Sequence, residues 1–253
     1  MSKQHLLTTI AIGALMVSAP INAVHADDTV ENANVENLKW DGRINFGGFL
    51  TDGNTSKKSI VLDGLTKARD DKNRYTLGAE IRYAKDEGTK TEDRYMAYAE
   101  YDRFINEKLY AGARLSYESD DIADLDSRIK VGPYVGYQYF ESEELNLSTR
   151  LGLDFIATEF ESGDKEENAA ISWGVDYDQK VVEDTLQIFY KHDVSLPVDD
   201  TEAFLYNGEA GVRFPIAKIL TGSAQVDFDW NNSPADGVQE DDTTYSLKLG
   251  YEF

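Results

Sequence analysis

The chain contains no cysteine. A disulfide framework, a thiolate metal centre, a cysteine nucleophile and a lipoprotein anchor are therefore excluded, and stability has to come from packing and backbone pairing. Histidine is nearly as scarce. Of three, His5 and His25 lie in the first 26 residues, which leaves His192 as the single imidazole beyond them. Basic residues are outnumbered, with 25 Lys and Arg against 47 Asp and Glu for a formal charge of −22, which argues against nucleic acid as a partner. Long hydrophobic runs are missing too: mean hydropathy is −0.49, and no segment beyond the first 26 residues approaches the roughly 18 to 20 apolar residues of a membrane helix. That absence does not bear on strands, because a barrel strand shows lipid only every second side chain and averages to neutral.

What is present begins with a leader. One charge, Lys3, precedes an apolar run from Leu6 to Val17, and small residues end in Val24-His25-Ala26, so residues 1–26 read as a secretory signal cleaved after Ala26. Residues 27–38 follow as a short acidic tail on the periplasmic side. Residues 39–253 carry a period of two. In the last segment Thr243, Tyr245, Leu247, Leu249, Tyr251 and Phe253 share one face, while Thr244, Ser246, Lys248, Gly250 and Glu252 share the other. Similar alternation marks 40–50, 74–83, 109–117, 129–139, 145–155, 169–177, 186–190, 204–214 and 220–230. It is weaker in 59–67, where Val61 and Leu65 break the polar face, and in 95–101, which is rich in alanine. The spacing predicts an all-β fold, a transmembrane antiparallel up-and-down barrel of about twelve strands, an even number as single-chain bacterial barrels require.

Connections after the first hairpin alternate short and long. Short ones centre on residues 105–107, 141–143, 182–184 and 215–217, and long ones span 84–94, 118–128, 159–168, 193–203 and 231–242, as periplasmic turns and extracellular loops would. The competing architecture is a soluble up-and-down barrel or sandwich, whose apolar face would line a dry interior. Charges on the polar face, Arg82, Glu100, Arg114, Arg150, Asp154, Glu209, Arg213 and Lys248, instead fit a wet lumen. Tyrosines near the ends of the apolar faces fit interfacial girdles.

The terminal segment YSLKLGYEF, residues 245–253, resembles the signal that outer-membrane barrels present to the barrel-assembly machinery, with Tyr251 and Phe253 as its aromatic residues. The opening WDGRINFGGFLTDGNT, residues 40–55, and RYMAYAEYDRF, residues 94–104, resemble the YdiY-like family of salt-induced outer-membrane proteins, a domain of unknown function, DUF481. The resemblance implies an outer-membrane location and a barrel fold. It supplies no catalytic residue and no cofactor.

Three constellations bear on chemistry. His192 lies near Asp193 and Ser195, yet in an extended strand His192 and Asp193 point to opposite faces, and His192 reads as an interfacial residue near the outer rim. Glu100, Asp102, Asp154, Glu209, Asp227 and Asp229 share lumen-facing positions and would allow acid-base work, but cations at positions 43, 69, 74, 82, 114, 130, 150, 191, 213 and 248 favour mutual salt bridges. Acids crowd the long connections at Asp120, Asp121, Asp124 and Asp126, at Glu159, Glu161, Asp164, Glu166 and Glu167, at Asp199, Asp200 and Glu202, and at Glu240, Asp241 and Asp242. Hard divalent cations shared with lipopolysaccharide would suit them. The expectation is a non-enzymatic, cofactor-free barrel: a narrow passive pore or an envelope component answering salt and osmotic stress. The alternative is a non-conducting surface protein binding divalent cations and lipopolysaccharide. An outer-membrane hydrolase has the least support.

Overall fold

A computed structural model describes residues 38–51, 56–182, 185–199, 203–234 and 237–253. The leader, the acidic tail before Leu38 and the turn at 53–55 lie outside the described residues. Twelve strands follow in chain order: β1 (Lys39–Thr51), β2 (Lys57–Arg69), β3 (Asn73–Asp86), β4 (Thr89–Phe104), β5 (Leu109–Asp120), β6 (Leu125–Glu141), β7 (Leu145–Phe160), β8 (Lys165–Val182), β9 (Leu186–Pro197), β10 (Leu205–Ala217), β11 (Leu220–Asn231) and β12 (Asp241–Glu252). Each pairs antiparallel with the next, and β1 pairs with β12, so the sheet closes into a barrel.

The distribution of side chains is inside out. Asp102, Lys248, Arg82 and Arg213 are buried, whereas Leu247 is 77% exposed and Leu249, Leu153 and Phe46 are exposed as well. Alternation explains this directly, since successive residues of a strand point to opposite faces and closure turns the polar face inward. A soluble barrel would show the reverse, and that architecture is overturned. Strands of 12 to 18 residues exceed the roughly 9 to 11 needed to cross a bilayer, so the barrel projects beyond it.

That projection corrects the expected loops. The connection placed at 84–94 is almost entirely strand, joined by a tight turn at Glu87 and Gly88, both with positive φ (51° and 83°), the signature of a type I′ hairpin. Likewise 118–128 and 159–168 shrink to turns at 121–124 and 161–164. Above the bilayer both faces of a strand meet water, so apolar alternation fades while backbone pairing continues. Rim ion pairs such as Lys57–Asp86 at 2.8 Å decorate these extensions, exposed to solvent that screens them.

Closure depends on the seam between the first and last strands, whose register runs from Arg43 opposite Glu252 to Gly47 opposite Lys248. Phe253 extends it: its N–H donates to the Gly42 carbonyl and Gly42 N–H donates to the Phe253 carbonyl, both at 3.0 Å. The Phe253 ring stacks near Tyr251, 6.1 Å between centroids, and occupies the space a Cβ on Gly42 would need. Deleting Phe253 removes both hydrogen bonds, about 1–3 kcal/mol together. The expected result is a smaller heat-resistant fraction after refolding, measured by gel migration, with Phe253→Tyr retaining the parent fraction.

Candidate functional site

The lumen is crossed by ion pairs at every level. At the end bearing the barrel termini, Arg74 reaches Asp102 at 2.7 Å and Gln138 at 3.0 Å, and Tyr134 donates to Asp102 at 2.6 Å. Arg69 bridges to Glu141 at 3.1 Å while its guanidinium lies 3.7 Å from the centroid of the Phe104 ring. Lys67 on β2 comes within 3.9 Å of Asp176 on β8, its diametric opposite in a twelve-strand ring, so facing side chains meet across the barrel.

Midway along the barrel, two arginines share two carboxylates. Arg150 donates to Asp193 at 2.7 Å and Arg114 at 3.3 Å, and both guanidinium groups lie 3.4 Å from Glu100. Tyr98 sits beside this quartet with Arg114 and Lys191 against its ring at 4.7 and 4.8 Å, and Lys191 Nζ donates to its hydroxyl at 3.1 Å. Tyr98 folds over its cross-strand partner Gly78, where a Cβ would lie 2.3 Å from the ring, so only glycine leaves room for it.

Towards the loop end, Arg82 bridges Glu80 at 2.8 Å and Asp227 at 3.2 Å, and Arg94 bridges Glu118 at 2.7 Å and also Asp229. Three cavities lie in series. One of about 420 Å³ at the terminus end is lined by Asp41, Arg43, Lys67, Asp178 and Glu252, one of about 100 Å³ above it by Arg82, Arg114, Lys130 and Asp193, and one of about 70 Å³ at the loop end by Asp120, Trp230 and Glu240. Glu80, Met96, Tyr98, Lys191 and Glu209 border the first two, and Arg94, Glu118, Arg128, Asn207 and Asp229 border the second and third.

The family model described as protein of unknown function, DUF481, matches residues 44–253. The chain belongs to the DUF481 family. No curated protein matches it. Among solved structures, this DUF481 chain is similar to the NanC porin at 12% identity, with 85% of this chain and 99% of that chain covered and a TM-score of 0.49. The KdgM porin in complex with disordered oligogalacturonate gives 13% identity, coverage of 83% and 99%, and a TM-score of 0.45. The translocator domain of the autotransporter NalP from Neisseria meningitidis gives 12% identity, coverage of 86% and 88%, and a TM-score of 0.45.

Within the DUF481 barrel, Glu100, Arg114 and Arg150 belong to the central quartet and Arg82 to the loop-end pairs. Lys248 donates to Asp63 at 2.7 Å, and Arg213 donates to Gln187 at 2.9 Å and lies 3.4 Å from Asp178. Asp154 packs against Gly132, and Glu209 faces the two lower cavities. Asp193, Arg94, Glu118 and Arg128, which the spacing places in loops or at their boundaries, stand in strands and carry central contacts. Alternation continued past the expected ends, Asp193 following Lys191 by two and Arg94 preceding Met96 by two, and would have found both.

His192 lies midway along β9, not near the outer rim, because that strand continues to Pro197. Trp173, Tyr190 and Tyr206 surround it, and its Nδ1 lies 2.8 Å from the Tyr190 hydroxyl. Asp193 points into the lumen to Arg150, and Ser195 accepts from Lys130 at 3.3 Å, so no serine-histidine-acid relay forms. The loop acids do not converge either: among the described residues no three His, Cys, Asp or Glu side chains come together to hold a metal ion. A hydrogen bond from Lys90 holds Asp121 below the usual carboxylate range, and the contact with Asp121 pushes Glu161 up.

Proposed function

We propose that this DUF481 protein is exported by its leader, cleaved after Ala26, and spans the outer membrane as a narrow passive pore for water and small ions that serves the response to salt and osmotic change. Its chain termini face the periplasm and its longer loops the exterior. The observation that carries the reading is the series of cavities, each lined by charged side chains, along a lumen whose outer wall is apolar. Twelve strands stand between the filled eight-stranded barrels and the open sixteen-stranded porins, a size that suits a restricted path. Lipid and lipopolysaccharide are the surroundings, and the C-terminal strand with Tyr251 and Phe253 addresses the assembly machinery. The reading is non-enzymatic, since His192 and Ser195 occupy opposite faces of the wall.

The ion pairs that cross the lumen favour a second reading, a closed barrel whose acidic loops gather divalent cations beside lipopolysaccharide. Single-channel recording separates the two. Refolded protein, shown by heat-modifiable migration to be a barrel, is expected to give reproducible steps in a planar bilayer, smaller than those of a sixteen-stranded porin. Silence from a folded barrel supports the closed reading.

A further inference from the structure

Arg82 on β3 and Arg94 on β4 stand directly opposite each other in the β3–β4 register, an arrangement that repels unless neutralised. Four carboxylates do so, and they are of two kinds. Glu80 and Glu118 belong to the same side of the barrel as the arginines, on β3 and on β5 beside β4. Asp227 and Asp229 reach them from β11, which in the ring order is separated from β3 by β2, β1 and β12. Each arginine therefore holds one wall acid and one acid across the lumen. The side chains of Arg82 and Asp227 are 6% and 7% exposed, so these are enclosed contacts and not rim pairs. Arg94 and Asp229 border both the 100 Å³ cavity and the 70 Å³ loop-end cavity, which puts the crossing at the septum between them.

We propose that Arg82 and Arg94 are the gating residues of the pore, and that Asp227 and Asp229 give it a preference for small cations. The proposal rests on the pore reading. An arginine that releases its β11 partner keeps a carboxylate on its own wall, Glu80 for Arg82 and, for Arg94, Glu118, which also binds Arg128 at 3.5 Å. The two freed aspartates then face the passage opposite neutralised arginines. The loop-end cavity adds to the preference, because Glu118, Asp120, Asp229, Glu240 and Asp242 line it against Arg94 and Arg128. A field of that sign raises the local concentration of cations and repels anions.

The test is a planar bilayer under a potassium chloride gradient, with conductance and reversal potential recorded for the full-length mature barrel, for Asp227→Asn/Asp229→Asn and for Arg82→Gln/Arg94→Gln. The parent is expected to favour potassium. Removing the aspartates should raise conductance severalfold and carry the reversal potential towards chloride, while removing the arginines should raise conductance and deepen the potassium preference. A silent, folded parent whose variants conduct overturns the pore reading and the gate with it, leaving a barrel that these pairs hold closed. Parent conductance unchanged in both variants overturns the gate and leaves the pore standing, and a chloride-selective parent overturns the cation preference. Silence in all three folded proteins overturns the pore and the gate together. Asp229→Asn alone, at the more exposed end of the crossing, gives the same readings if a double variant does not fold, and unchanged conductance there counts against the gate.

Discussion

Arginine in place of Leu247 is expected to destabilise the barrel by about 2–4 kcal/mol in phospholipid vesicles, the cost of a cation on a lipid-facing barrel site at the bilayer midplane. Leu247 is the right place because it is midway along β12, points outward and is 77% exposed, with no partner to lose. In water such a position is nearly silent, since substitution of an exposed side chain usually changes stability by under about 0.5 kcal/mol. Reversible guanidinium unfolding from vesicles, compared between the parent and Leu247→Arg, measures the difference. An unchanged midpoint would mean that this face meets water, and the membrane-spanning reading would fall. Lys248, one residue later, is 4% exposed and bound to Asp63, so neighbouring positions on one strand give opposite answers to the same charge.

All twelve strands were legible in the sequence because lipid on one side and polar lumen on the other write a binary pattern into every strand. Even the weak segments have a reason. Val61 breaks the polar face of β2 and is buried inside the barrel, and Ala97 and Ala99 lie on the lipid face of β4 between Tyr95 and Tyr101. Strand ends were not legible, because beyond the bilayer the pattern loses its contrast while the hydrogen bonds persist. Partners were less legible still. That Arg82 faces the lumen follows from alternation. That it meets Asp227, on a strand near the other end of the chain, depends on strand number and on the stagger that tilts the strands, and neither is encoded in the apolar repeat. The same applies to Arg94 and Asp229, further hidden because Arg94 falls at the edge of the apolar repeat.

The central quartet yields the other large effect. Asp193→Asn is expected to lower stability by about 3 kcal/mol, the low end for breaking a buried ion pair, because water in the adjoining cavities solvates part of the charge left behind. The substitution keeps the shape of the side chain and removes one of two carboxylates that hold Arg114 and Arg150, leaving Glu100, 3.4 Å from each, to balance both. Repulsion between the guanidinium groups then dominates, so removing one of them should help. Arg114→Gln added to Asp193→Asn is expected to recover most of the loss, whereas Arg114→Gln alone should be destabilising. That sign reversal is the mark of direct coupling in a double-mutant cycle. Thermal unfolding in detergent, followed by the loss of the fast-migrating folded band, reads all four proteins. The outcome bears on function as well as stability, because the quartet stands between the 100 Å³ cavity, lined by Arg114 and Asp193, and a smaller one of about 30 Å³, lined by Glu100 and Arg150. If Asp193→Asn were as stable as the parent, bulk-like water would already screen these charges. The lumen at that level would then be too wet for ion pairs to close, and the restriction of the path would rest on the loop-end arginines alone.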